Sequence, residues 1–365
     1  MLNYSRLPPA IDRILDAAHW APSGDNAQPW TFAVHDDGNF DVSVRVKAGN
    51  VYEYRHGEPT LISTGTLLEN IAVAASSHGK RAHWQYQGLV DGTHRIRVEL
   101  QDDPLAGENP LLGEIARRSV DRRPYRLRPL AADDKQALSQ ALDPEFSLAW
   151  HETLAARRAI AALTRLATDI RLRIPETFDI HNKIVDWKQA YSPDAIPSRA
   201  LGVDAMTLKT MRWTLAKRAR TEAANRLGSP FFAGLQMDFL PGIFSAAYFV
   251  FRFQQRATGR HEQICQLLRG GQAVQRFWLT ASKLGLVLQP CLATLAFAHY
   301  GRSDEPFTVS LPERRKAAAL ARQAGQTLAN LPAVFFIGRI GYPKQAKLES
   351  RSLRLPLTQL ICDTA

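Results

Sequence analysis

Short polar side chains and a large aromatic residue are concentrated near the amino terminus, in the segment Ala21–Trp30. Ser23, Asn26 and Gln28 supply hydrogen-bond donors and acceptors at short reach, and Asp25 adds a carboxylate. A proline and a glycine in the same segment favour a turn. Such a loop can present amides and hydroxyls to the edge of a planar heterocycle. An ordinary turn, in which the Asn and Asp cap their own backbone, is the alternative.

Two predicted elements would position this loop. Before it, apolar residues recur at helical spacing and predict one buried face of a short helix. After it, Trp30–Val34 has the composition of a strand. The helical face comprises Ile11, Ile14, Leu15 and Ala18.

Arginines form two clusters, and their permanently charged donors suit phosphate. One lies within residues 117–128 and the other within residues 212–226, on a predicted helix. The net charge of +11 admits a polyanionic partner. The sequence argues against nucleic acid, because neither a zinc-finger nor an RNA-recognition signature accompanies the clusters.

The composition predicts a globular protein with a sizeable core, since 45% of the 365 residues are hydrophobic. Its three cysteines are too few and too scattered for a disulfide framework or a zinc site, which indicates a reducing compartment and no metal. The start, Met1–Arg6, lacks the apolar core of a secretory signal. The most apolar stretch, Phe239–Phe251, is too short for a membrane span. We therefore expect a cytoplasmic protein.

An internal similarity relates two predicted helices. Gly65–Gly79 aligns without a gap to Gly271–Gly285, 206 positions later, with glycine, alanine, serine and glycine coinciding. Each segment predicts a buried helix followed by a glycine in the left-handed conformation. Two unrelated alanine-rich core helices can also align this well, so one helix does not establish a duplication.

The loop motif Pro-Ser-x-x-Asn-x-Gln-Pro-Trp, directly after the first helix, resembles the signature loop of the FMN-dependent nitroreductase superfamily. The resemblance implies an α+β nitroreductase-like fold with FMN as cofactor. It also implies that Ser23, Asn26 and Gln28 lie against the flavin ring.

A second motif is similar to the superfamily's Arg-x-Ser-x-Arg/Lys element, which binds the FMN phosphate. The resemblance assigns that role here to Arg117, Arg118, Ser119 and Arg122. The match departs from the usual pattern at Asp121, where a basic residue is frequent. A solvated basic turn at a domain boundary is the alternative.

Two later segments resemble further parts of that superfamily. Gln289 and Pro290 follow the second core helix, where the resemblance places backbone amides beside the pyrimidine side of the flavin. Cys291 would then be a packing neighbour of the site. Near the carboxy terminus, a basic residue before Leu-Pro returns to the phosphate, and Arg354 matches it best, with Arg351 second.

Nitroreductases of this superfamily are intertwined homodimers, so two related halves in one chain imply an intramolecular pseudo-dimer, active as a monomer or a homodimer. The sequence predicts a truncated half over residues 1–108 and a larger half over residues 109–365, with an insertion at about 165–260. The first half carries the ring loop and the second the arginines. One composite site per chain is therefore expected.

The function that the resemblance implies is hydride transfer from NAD(P)H, through flavin N5, to a small acceptor. No catalytic side chain is predicted, because the flavin supplies the chemistry. Two alternatives remain: an FMN-storage protein whose flavin is sequestered under a lid, and a dehydrogenase for a peptide or carrier-bound substrate.

Overall fold

The computed structural model describes residues 7–303, 305–345 and 349–362. Met1–Arg6, in which the sequence predicts no secretory signal, lies outside the described residues. The described chain is a mixed α+β structure in which a mainly antiparallel sheet and a fully antiparallel sheet are joined through long core helices.

The first sheet and its helices come from residues 9–102 and from the carboxy-terminal end. Its strand order is β13-β1-β2-β4-β3, and β13 is parallel to β1. The elements are α1 (Pro9–Ala18), β1 (Trp30–Val34), β2 (Phe40–Arg45), α2 (Tyr54–Ser76), β3 (Lys80–Val90), β4 (Thr93–Asp102) and β13 (Ile361–Cys362). The predicted strand and the predicted helical face are both confirmed, since the four apolar residues of α1 are buried.

The second sheet has the strand order β10-β11-β9-β5, and all its pairings are antiparallel. Its elements are α3 (Ala132–Gln140), β5 (Phe146–His151), β9 (Ala247–Phe253), α10 (Arg260–Lys283), β10 (Val287–Pro290), α11 (Ala293–Tyr300), α12 (Leu311–Thr327) and β11 (Val334–Gly341). Every residue of β11 is buried, as expected for a central strand.

Helices fill the long connection between β5 and β9. They are α4 (Leu154–Arg173), α5 (Phe178–Ile184), α6 (Ala205–Leu215), α7 (Arg218–Arg226), α8 (Ser229–Gly234) and α9 (Leu240–Ile243). Three two-residue strands interrupt these helices, namely β6 (Val185–Asp186), β7 (Tyr191–Ser192) and β8 (Ile196–Pro197). Strand β7 pairs with β12 (Arg351–Ser352). The apolar segment Phe239–Phe251 thus contains the short helix α9 and the first part of the buried strand β9.

The helices α2 and α10 pack against each other at two glycines. A Cβ on Gly65 would lie 2.7 Å from the Cα of Gly271 and would overlap the carbonyl oxygen of Leu268. A Cβ on Gly271 would overlap the carbonyl oxygen of Ile62 in the same way. Only glycine permits this close backbone approach. The predicted glycines after both helices are also confirmed, since Gly79 and Gly285 have φ of +68° and +70°.

Candidate functional site

Four separate stretches of the chain meet around a cavity of about 80 Å³. They are the loop after α1, the turn at residues 118–122, the connection at residues 196–200 and the carboxy-terminal segment at residues 351–354. Six of the residues predicted from sequence line it: Ser23, Asn26, Arg118, Ser119, Arg122 and Arg354. The structure therefore brings together the ring-loop motif and the arginine motif.

The loop after α1 holds an unusual backbone conformation. Asp25, Asn26 and Gln28 all have positive φ, at 54°, 60° and 47°. Non-glycine residues adopt this region at a cost of about 1 kcal/mol or more, and such residues concentrate at functional sites. The Ser23 hydroxyl accepts a hydrogen bond from the backbone amide of Gln28 at 2.9 Å, which closes the loop on itself.

The two amide side chains of the loop bind backbone from distant segments. The Nδ2 atom of Asn26 donates to the carbonyl oxygens of Pro193 at 2.9 Å and Leu353 at 3.1 Å. The Nε2 atom of Gln28 donates to the same Pro193 oxygen at 2.8 Å, while its Oε1 atom accepts from the amide of Leu355 at 2.8 Å. Gln28 is buried beneath the loop and does not line the cavity. Both side chains therefore hydrogen-bond the loop to the connection between β7 and β8.

Arg118, Arg351 and Arg354 surround the cavity without acidic partners: among the described residues, none of the three forms an ion pair. Arg118 is 4% exposed, and its guanidinium lies 4.4 Å from the ring centre of Trp278. The Nε atoms of Arg118 and Arg351 are buried and have no hydrogen-bond partner. Three converging cations, none of them paired with a carboxylate, create a local excess of positive charge, which favours a bound anion.

Backbone carbonyls, which are neutral, receive most of the hydrogen bonds from these arginines. Arg118 donates to the carbonyl of Trp20 at 3.2 Å, and Arg351 donates to that of Ala116 at 2.8 Å. Arg354 donates through Nε to the carbonyl of Ala21 at 2.9 Å and through Nη1 to a side-chain amide oxygen of the loop. These bonds orient the guanidinium groups and leave their charge uncompensated.

Burial and mutual repulsion destabilise the charged forms of these side chains. Burial, then the nearby Arg354 and Arg351, hold the pKa of Arg118 well below its usual value. Burial and the charge of Arg351 lower the pKa of Arg354 to about 9. All three guanidinium groups are cationic at neutral pH, and a bound anion would offset the cost of burying their charge. The donor set fits the dianionic phosphate of FMN.

Arg122 and Asp25 also line the cavity. Arg122 donates through Nη1 to the carbonyl of Ala200 at 3.3 Å. Burial raises the pKa of the Asp25 carboxyl, and the charge of Arg122 opposes that shift. The neighbouring Arg117 lies outside the cavity: its side chain is 77% exposed and pairs with Glu114 at 3.2 Å.

Gln289 and Pro290 form part of β10 and do not line the cavity. The Oε1 atom of Gln289 accepts from Nε of Arg339 at 2.8 Å, and Arg339 also donates to the carbonyl of Arg122 at 2.8 Å. Burial raises the pKa of the Cys291 thiol to about 12, so this thiol stays protonated and is a packing residue, as predicted.

Sequence reasoning did not find the residues that the helical connection contributes. Pro193, Ile196 and Ala200 reach the loop or the cavity, and they carry no motif. Their contribution is a backbone carbonyl or a small apolar side chain, which leaves no pattern in the sequence. Trp30, the large aromatic residue at the end of the loop, is 1% exposed and belongs to the core.

Two other features bear on the class of site. No group of three or more metal-ligating side chains occurs within residues 7–303, 305–345 and 349–362. In the same part of the chain, the helices are all too short or too polar to cross a membrane.

The chain matches no family model, and no curated protein matches it. Among solved structures, it is similar to a nitroreductase with bound FMN from Desulfitobacterium hafniense, at 12% identity and a TM-score of 0.37, over 70% of this chain and 98% of that one. It is also similar to the FMN-dependent nitroreductase NfnB from Mycobacterium smegmatis, solved with NADPH, at 13% identity and a TM-score of 0.34, over 69% and 96%. A nitroreductase described as putative, from Anabaena variabilis, has 12% identity and a TM-score of 0.38, over 92% and 74%. At TM-scores below 0.5, these structures do not assign a function to this chain.

Proposed function

We propose that the protein is an FMN-dependent oxidoreductase of nitroreductase type. The observation that carries the proposal is the cavity at which Arg118, Arg351 and Arg354 converge without an acidic partner. The sequence motifs for the flavin ring and the flavin phosphate are far apart in the chain, and both reach this one cavity. A solvated basic turn would leave Arg118 exposed, whereas this arginine is only 4% exposed.

In this proposal the three arginines bind the phosphate, and the hydroxyl of Ser119 adds a short-range donor. The loop from Ser23 to Gln28 supports the ring. When bound, FMN supplies hydride transfer at N5, between NAD(P)H and a small acceptor. The protein binds and orients the cofactor, and no side chain is assigned a covalent step.

The connection between β7 and β8 favours a second candidate function, storage of FMN under a lid. The side-chain amides of Asn26 and Gln28 donate to the carbonyl of Pro193, so this connection lies against the loop that is proposed to support the flavin ring. The cavity of about 80 Å³ is smaller than the roughly 300 Å³ of pockets that bury a drug-sized ligand. The cavity is therefore large enough for a phosphate group among the arginines but too small for a flavin ring. The ring would bind only if the connection between β7 and β8 moved. A connection that closed again over bound flavin would exclude NAD(P)H.

Anaerobic reduction of the flavin-loaded protein distinguishes the two functions. An oxidoreductase loses its yellow absorbance when NADH or NADPH is added, because the nicotinamide must reach the flavin. A storage protein stays yellow with both nucleotides and resists photoreduction. The storage function then replaces the oxidoreductase, although the phosphate assignment still stands.

We also infer that the two sheets arose by duplication. The strand order β1-β2-β4-β3 corresponds to β5-β9-β11-β10, and a long helix connects the second and third strand of each set in chain order. The glycines that meet in the core, Gly65 and Gly271, are also the pair that the sequence alignment equates. We retain halves of residues 1–108 and 109–365 and assign the insertion to the connection between β5 and β9. A monomer of 40.7 kDa that binds one FMN is the expected result in sedimentation, whereas a site that forms only in a dimer would contradict a complete pseudo-dimer.

A further inference from the structure

Two adjacent helices of the long connection, α6 and α7, have no buried side chain, since all of their described residues are half-buried or exposed. Helices of this length are marginal in water unless a face packs against something. Half-buried Leu208 and Met211 pack α6 against a small apolar cluster around Val185. The apolar side chains that stay exposed beside them lie on a face that nothing in the described chain covers.

Large apolar side chains are exposed along these helices and the turn that follows. On α6, Met206 and Trp213 are spaced seven residues apart, which places them on one side of the helix, and they are 70% and 56% exposed. After α7, Leu227 and Phe232 are 84% and 65% exposed, and Phe231 is 47% exposed. We call residues 205–232 the basic apolar surface.

Positive charge surrounds these apolar side chains. Residues 205–232 contain six Lys and Arg residues but one acidic residue, Glu222. Lys209, Arg212, Lys217 and Arg218 are exposed. The guanidinium of Arg220 lies 4.6 Å from the ring centre of Trp213, so charge and apolar surface are adjacent.

We propose that the basic apolar surface binds the surface of an anionic lipid bilayer. Aliphatic and aromatic side chains next to Lys and Arg are the pattern of helices that lie in the membrane interface, where apolar groups enter the acyl boundary and cations meet anionic headgroups. A second copy of the chain fits less well, because two copies would bring like charges together. Nucleic acid would leave the aliphatic Met206 and Leu227 without a contact that stabilises them.

Flotation of the full chain with lipid vesicles tests the proposal. We expect binding to vesicles containing phosphatidylglycerol to be at least about tenfold tighter than to pure phosphatidylcholine, and to weaken with salt. The double variant Trp213→Ser/Phe232→Ser should lower the affinity about tenfold. Lys217→Gln/Arg218→Gln should lower it too and reduce its dependence on salt. A matched control, Leu105→Ser/Leu127→Ser, removes two side chains that are 94% and 74% exposed elsewhere and should leave binding unchanged.

Equal binding to neutral and anionic vesicles would overturn the proposal, as would an equal loss of binding in the control variant. Sedimentation of the same proteins gives a second check: a dimer that Trp213→Ser/Phe232→Ser dissociates would assign this surface to a second copy. Binding of an RNA oligonucleotide without binding of vesicles would also overturn it. Vesicle binding should not depend on flavin, because none of the substituted residues lines the cavity around Arg118, Arg351 and Arg354, which we call the arginine cavity.

Discussion

Replacement of Arg118 by methionine should separate flavin binding from folding. The guanidinium is 4% exposed, lacks an acidic partner among the described residues, and makes one hydrogen bond, to a carbonyl at 3.2 Å. Methionine keeps the unbranched aliphatic stem but lacks the guanidinium that packs against Trp278. In the flavin-free protein, the variant therefore loses a charge-assisted hydrogen bond and a cation–π contact, together about 2–3 kcal/mol. It gains more, because burial of an unpaired charge costs several kcal/mol.

We therefore expect Arg118→Met to stabilise the flavin-free protein by about 1–3 kcal/mol, or about 2–4 °C in melting temperature. The same substitution removes a charge-assisted contact with phosphate, which is worth about 1.5–3 kcal/mol, so FMN should bind about 10- to 100-fold more weakly. Thermal melts of the flavin-free protein and titration with FMN, followed by flavin fluorescence, measure the two effects.

The adjacent residue offers a matched control. Arg117→Met removes an exposed arginine that pairs with Glu114, and exposed pairs contribute about 0–1 kcal/mol. Neither the melting temperature nor FMN affinity should change appreciably. If Arg118→Met instead lowered the melting temperature and left FMN affinity intact, Arg118 would be a structural residue and the anion-site reasoning would fail.

Three further predictions concern the core, the pH dependence and the loop. Gly271→Ala should lower the free energy of unfolding by about 2–4 kcal/mol in urea titrations because its Cβ overlaps α2, whereas Gly325→Ala, in open space on a helix, should raise it by about 0.5–1 kcal/mol. A Gly271→Ala variant that is as stable as the original protein, or more stable, would contradict the close crossing. Burial lowers the pKa of His181 to about 3, and its Nε2 atom lies 2.9 Å from the hydroxyl of Tyr52. The unfolded state binds a proton at this histidine near pH 6.5 and the folded state does not, so the free energy of unfolding is retained above pH 6.5 and falls as the pH drops toward 3. His181→Phe should reduce the loss of stability between pH 7 and pH 4.5 by about 1–3 kcal/mol. An unchanged loss in that variant would rule out His181 as its source. Gln28→Leu should lower the free energy of unfolding by about 1–3 kcal/mol in urea titrations, because it leaves the amide of Leu355 without a partner and removes one of the two amide donors to the carbonyl of Pro193; a cost below about 0.5 kcal/mol would show that water replaces the lost bonds.

Local pattern was sufficient to predict the elements that hold the site. The apolar face of α1, the strand Trp30–Val34 and the glycines after α2 and α10 depend on interactions within a few residues, and all are observed. The likeness of Gly65 and Gly271 could also be read from sequence, because a close helix crossing needs glycine on both sides.

Long-range packing explains what the sequence did not reveal. The role of Asn26 at the flavin stays a prediction, and the sequence did not reveal that its side-chain amide donates to Pro193, 167 positions later. Nothing in the short polar residues of the loop specifies which partner fills it. Likewise, Arg117 and Arg118 are adjacent and chemically identical, and only the three-dimensional course of the turn exposes one and buries the other.

Binding of FMN and riboflavin to the flavin-free protein tests the central claim most directly, because the two ligands share a ring and differ in the phosphate. The arginine cavity predicts about one FMN per chain and at least about 100-fold weaker binding of riboflavin, as expected when charge-assisted contacts to phosphate are lost. Equal affinities for the two ligands, or no FMN bound after reconstitution, would contradict the assignment of Arg118, Arg351 and Arg354 to a flavin phosphate.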